Sequence, residues 1–241
     1  MHSEILLIDH HLLAGSDGWD RTSQLISLAQ LLAEPYFRTF LGFEVLIEKE
    51  WVSAGHLFEA RLGLHGASHE TSPIFLQFVD CVFQLTMQHP TAFEFNSAYL
   101  IAIIDSVYSG RFATLAFNNI SARINAKRAA PTSFASLWTH LRSNWRDYKN
   151  SMFQGVRLAD SKRVSVTEMV SSLEECTVED PLKFAPLGLF SASHRSQLLH
   201  PLPVDTSAIV FWRDYFFRRI SSVRDASEYE PFLVVAYYFK K

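Results

Sequence analysis

A chain of 241 residues, 48% of them hydrophobic, is long enough for one sizeable core and two at most. Its formal net charge of −3 provides no overall basic field for nucleic acid, so any contact with an anionic surface has to be local. Two distant cysteines, Cys81 and Cys176, build no disulfide framework and fit a reducing cytosol, and no run reaches transmembrane or signal-peptide form.

Glu4 to Ile8 suits a short strand. The stretch Gly15-Ser16-Asp17-Gly18-Trp19-Asp20-Arg21-Thr22 follows and runs into an amphipathic helix. Leu25, Leu28, Ala29 and Leu32 fall at i, i+3, i+4, i+7 spacing, which predicts an apolar stripe. Thr22 and Ser23 suit its first turn and Pro35 marks its end. A loop feeding straight into a helix aims unpaired N–H groups and a positive dipole end at one point, which suits a phosphate. Gly18 frees the turn, and Arg21 offers a planar fork for two phosphate oxygens. The same residues also fit an Asx-type turn that caps the helix and leaves Arg21 solvated.

Farther along, Phe43 to Trp51 predicts a helix with Phe43, Leu46, Ile47 and Trp51 inward and Glu44, Glu48, Lys49 and Glu50 outward. Gly63 to Ser72 reads as a loop. His65 and His69 within it lie four apart, and with no third ligand they read as a loop pair rather than a metal site. His56 reads as a packed or capping histidine. Pro73 to Gln88 is a long apolar helix, with Pro73 in its first turn and His89-Pro90 stopping it. Ala98 to Tyr108 is another, burying Leu100, Ile103, Ile104 and Val107. Arg123, Lys127 and Arg128 form a basic cluster, either a solvated linker or a contact for acidic headgroups. Trp138 to Trp145 suits an aromatic-rich helix, Asp147 to Ser196 is polar and irregular, and Val210 to Ile220 closes with an amphipathic helix. The apolar run Phe232 to Phe239 is left unplaced.

The loop S-D-G-W-D-R-T-S-Q-L, Ser16 to Leu25, resembles the signature of the myotubularin family of phosphoinositide 3-phosphatases. The resemblance continues through F-R-T-F-L-G-F-E-V-L-I-E-K-E-W (Phe37 to Trp51), S-P-I-F-L-Q-F-V-D-C-V-F-Q-L-T (Ser72 to Thr86) and P-T-A-F-E-F-N (Pro90 to Asn96). Weaker echoes are Ser136 to Trp138 and Phe211 to Arg219. The resemblance implies an α+β class leaning mostly α: the C-terminal helical half of a cysteine-phosphatase (myotubularin phosphatase) fold, with the N-terminal sheet portion missing. It divides the chain into an unmatched segment 1–14 and a partial phosphatase domain 15–241, close over 16–118 and carrying an insertion at 147–196.

By that resemblance, Arg21 corresponds to the phosphate-binding arginine and Asp20 to the proposed general acid. Ser16, Asp17, Gly18, Trp19, Asp20 and Arg21 line the substrate pocket, Arg61 contacts inositol phosphates, and a companion arginine falls on Leu57. The family's nucleophilic cysteine falls on Gly15, which has no side chain to form a phosphoenzyme. The implied partners are phosphoinositide headgroups at endosomal-type membranes and an active myotubularin paralogue, for a cytoplasmic, membrane-peripheral protein without cofactor, metal or nucleic acid. Activity then depends on Gly15. The readings are a phosphatase domain acting on phosphatidylinositol 3-phosphate or the 3,5-bisphosphate, a pseudophosphatase adaptor, and a truncated reading frame.

Overall fold

Past the loop the chain is helical in a computed structural model that describes residues 18–64, 70–130, 135–154, 199 and 209–218. The calls at Glu4 to Ile8, Gly15, Ser16, Asp17, His65, His69, Cys176, residues 155–196 and Phe232 to Phe239 lie outside the described residues. Among the described residues there is no strand, only an isolated antiparallel bridge between Phe95 and Lys149.

Helix α1 (Arg21–Ala33) leads through a 3₁₀ turn (Pro35–Arg38) into α2 (Phe40–Ile47), which continues as a π-helical stretch, Glu48–Ser53. α3 (Phe58–Leu62) is short. α4 (Ile74–Gln88) and α5 (Ser97–Tyr108) are the two long core helices, and they follow the predicted spans to within a residue. α6 (Ile120–Ala129), α7 (Leu137–Ser143), α8 (Trp145–Tyr148) and α9 (Arg213–Phe216) complete the described set.

The core is aromatic. Trp51, Phe43, Phe58, Phe75, Phe78, Phe93, Phe95 and Tyr99 are buried between α2, α4 and α5. Trp51 packs edge-on to Phe75 at 5.0 Å and tilts over Phe78 at 4.9 Å, the offset arrangements that the ring quadrupole favours. On α5 the expected stripe Leu100, Ile103, Ile104 and Val107 is buried, because its spacing matches the helix period.

Four sequence expectations change. The buried face of α1 is Thr22, Ser23, Ile26, Ser27 and Leu31, while Leu25 is 51% exposed. The physical reason is polar: the Ser27 hydroxyl accepts the Trp51 indole N–H at 3.0 Å, and Ser23 Oγ donates to the Trp19 carbonyl at 3.1 Å. Glu44 and Glu50 are buried rather than outward. Arg142 pairs with Glu44, and Glu50 accepts from Gln30 at 2.7 Å and Lys49 at 2.8 Å. Trp138 to Trp145 is split at Asn144, with Trp138 buried and Trp145 exposed. The final helix shortens to Arg213–Phe216, because Phe211 and Trp212 serve as extended core anchors, Trp212 stacking on Phe83 at 4.6 Å.

Residues 147–154 are held by the Pro90–Asn96 block. Asn96 N–H donates to the Tyr148 carbonyl at 2.8 Å, Asn150 N–H to that of Glu94 at 2.8 Å, and Gln154 N–H to that of Thr91 at 3.0 Å. The Asn150 side chain adds bonds to the Pro90 and Phe93 carbonyls. The start of the expected irregular insertion is therefore stitched to the core.

Candidate functional site

The site grows from the N-terminus of α1. Gly18 adopts φ +74°, a left-handed conformation that side chains other than glycine's disfavour, and it turns the chain into Trp19 and Asp20. Asp20 stands at the N-cap, but its carboxylate makes no capping bond to α1. It reaches across to two residues of the next segment instead. Arg61, on α3, donates from Nε at 3.0 Å and lies 2.9 Å away through Nη2, both to Asp20 Oδ2. His56 Nδ1 lies 2.9 Å from Asp20 Oδ1 and 3.1 Å from the Trp19 carbonyl. A proton on Nδ1 is donated to the Trp19 carbonyl, and Asp20 Oδ1 lies beside it as a carboxylate neighbour with no hydrogen bond of its own among the described residues.

His56 is held from below. Its ring packs edge-on to Trp51 at 4.9 Å and to Phe58 at 4.7 Å, and the residue is 1% exposed. Burial lowers its pKa from the ordinary histidine value, and the Asp20 carboxylate opposes that shift. Among the described residues its Nε2 has no hydrogen-bond partner. The π-helical geometry before it places it there, since His56 N–H donates to the Trp51 carbonyl at 2.9 Å, an i to i+5 bond.

Arg61 has a second carboxylate neighbour. Its Nη1 donates to Glu70 Oε2 at 3.1 Å and to the Glu70 carbonyl at 3.2 Å. The bond to Asp20 is the largest cause of a raised Arg61 pKa, with Glu70 adding to it against partial burial. Arg21, the first residue of α1, is exposed and has no ion partner among the described residues. Leu57 precedes α3 half-buried.

Asp20 and Arg61 therefore meet, 41 residues apart in sequence, with Arg21 adjoining on the solvent side. His56, expected as a packed or capping histidine, is packed on Trp51 and Phe58 and also reaches the Trp19 carbonyl beside Asp20. Its signal was its place in the block G-H-L-F-E-A-R, five residues ahead of Arg61. Arg123 belongs elsewhere: it forks onto Glu48 at 2.7 and 3.2 Å, so the basic cluster beyond it keeps only Lys127 and Arg128 exposed. Cys81, on α4, offers no substitute nucleophile, since burial pushes its thiol up to about 11. Among the described residues no group of three His, Cys, Asp or Glu side chains could hold a metal, and no helix is long and apolar enough to cross a membrane.

Residues 6–124 match the family model of the myotubularin-like phosphatase domain. The matched span opens at Leu6 and takes in the loop, His56 and Arg61. Among curated proteins, the mouse phosphatidylinositol-3,5-bisphosphate 3-phosphatase MTMR2 is 50% identical over 142 residues, covering 57% of this chain and 22% of that protein. The chicken protein of the same name is 49% identical over 142 residues, with 24% of its length covered. Myotubularin of Xenopus laevis is 50% identical over 142 residues, again 57% of this chain and 23% of the relative. The chain thus spans about a fifth of the length of these relatives. Residues 6–124, which hold the Asp20–Arg61 pair and most of the aromatic core, are therefore those of a myotubularin-like phosphatase domain.

Proposed function

We propose that this chain recognises the phosphate of a phosphoinositide headgroup, phosphatidylinositol 3-phosphate or the 3,5-bisphosphate, and does not cleave it. The observation that carries the reading is the Asp20–Arg61 pair, which ties the start of α1 to α3 beside an exposed Arg21. That arrangement leaves one guanidinium for a ligand and uses another to hold the loop in place. The names of the relatives support the ligand class, since MTMR2 is a phosphatidylinositol-3,5-bisphosphate 3-phosphatase.

The inactive half of the reading rests on Gly15. In the cysteine-phosphatase chemistry that the resemblance implies, a thiolate attacks phosphorus, and loss of a nucleophile elsewhere costs on the order of 10⁶ in turnover. In this reading the helices are the C-terminal half of a cysteine-phosphatase fold, and Asp20 anchors Arg61 rather than protonating a leaving oxygen. The protein would act as a cytoplasmic adaptor at endosomal-type membranes, beside an active paralogue.

Co-sedimentation with vesicles containing phosphatidylinositol 3-phosphate tests the binding. Arg21→Ala should weaken it about tenfold or more, the loss of one or more charge-assisted bonds. Phosphate release should not exceed that of Arg21→Ala. Equal binding by the variant, or release above its level, overturns the reading.

A further inference from the structure

Arg61 is shared between two carboxylates of different character. Asp20 is enclosed, with 23% of its side chain exposed and His56 against its other oxygen. Glu70 is at the surface, with 64% of its side chain exposed, and holds Arg61 only through Nη1. We propose that Glu70 is an intramolecular stand-in for a phosphomonoester: it covers the Nη1 edge of Arg61, and an incoming headgroup takes that edge by displacing it. This rests on the phosphate-binding reading above and deepens it by naming a residue that sets affinity.

The backbone holds Glu70 in this position. Ser72 N–H donates to the Arg61 carbonyl at 3.0 Å, which brings residues 70–72 back alongside α3. Gly63 ends α3 in the left-handed region at φ +67°, and the Thr71 methyl of the returning segment packs close to it, 2.9 Å from where a Cβ would lie. The Glu70 carbonyl bond to Nη1 does not depend on the side chain, so Glu70→Gln removes the charge and leaves the backbone contact.

The energetics favour exchange. An exposed carboxylate–guanidinium pair contributes about 0–1 kcal/mol, whereas a phosphate oxygen offers a shorter and stronger charge-assisted bond. Displacing Asp20 would instead break two bonds and uncover an enclosed carboxylate. Glu70 therefore yields and Asp20 stays.

Titration calorimetry of the full chain with soluble inositol 1,3-bisphosphate and with inorganic phosphate, alongside the vesicle assay, tests this. Glu70→Gln should tighten binding of the soluble headgroup about twofold to fivefold. The gain should vanish in an Arg61→Ala background. The same gain with inorganic phosphate assigns the exchange to the phosphate group itself, and a gain confined to the inositol phosphate assigns it to the headgroup; both support the proposal. Unchanged affinity in Glu70→Gln, while wild type binds, overturns it and leaves the binding function standing. So does a gain that persists without Arg61, or one seen with vesicles alone, since either reports bulk repulsion. No binding by wild type or Glu70→Gln, each with a cooperative melt, removes the binding function and this proposal together.

Discussion

At Gly42 the first turn of α2 lies so close to the preceding 3₁₀ turn that a Cβ would run into the Tyr36 carbonyl, with the Phe37 Cα 2.9 Å away. These are backbone atoms and cannot rotate aside. Gly42→Ala should therefore destabilise the protein by about 3 kcal/mol or more, above the usual cost of an added methyl, read as a fall in the urea midpoint at unchanged slope. The requirement was not legible in the sequence, because it comes from a neighbour that only the folded turn supplies. The candidate site shows the same division. The turn into α1 could be read from Gly18, since local backbone chemistry specifies it. The use of Asp20 could not, because its partners His56 and Arg61 arrive through a π-helical turn and α3.

At the scale of elements, α4 and α5 were readable because each buries a single apolar stripe, and a period of 3.6 is enough to find one. α1 was misread because its buried face carries Ser23 and Ser27, whose hydroxyls meet Trp19 and Trp51. Glu44 and Glu48, on the acidic side of α2 and its π extension, were misread for a related reason: their cations lie 98 and 75 residues ahead. Glu48 is the clearest case. It accepts two bonds from Arg123 on α6 and one from the Trp138 indole on α7 at 2.7 Å, so one carboxylate ties two later helices to the core. Glu48→Ala should lower stability by about 2–3 kcal/mol and increase solvent quenching of Trp138 fluorescence. Glu48→Gln, which keeps an acceptor for the indole, should lose less. Equal stability of all three proteins in urea would mean that α6 and α7 are held by apolar contacts alone.

For the whole molecule, the buried charges set how stability varies with pH. Glu44 is 3% exposed, and burial pushes its carboxyl up to about 7, although the Arg142 guanidinium draws it down. In the unfolded chain the same group titrates near 4.5. Between about 4.5 and 7 the folded protein thus holds more proton on Glu44 than the unfolded one, and this contribution to stability falls as pH rises through that window. A displacement of this size is worth on the order of 3 kcal/mol across the window. His56 acts in the opposite direction. Burial depresses its pKa, so its contribution is present above the ordinary histidine value and is lost as pH falls below it. His89, also lowered by burial, adds to that loss. The wild-type profile therefore contains opposed slopes, and Glu44→Gln separates them. Subtracting the variant's urea-derived stability from that of wild type, at pH values from 4.5 to 8, should leave a difference that favours wild type most at the acid end. That difference should decline by on the order of 3 kcal/mol toward pH 8. Loss of the Arg142–Glu44 ion pair in the variant shifts the whole difference but not its slope, because a guanidinium stays charged throughout. A flat difference would mean that Arg142 keeps Glu44 ionised across the range, with the ion pair outweighing burial.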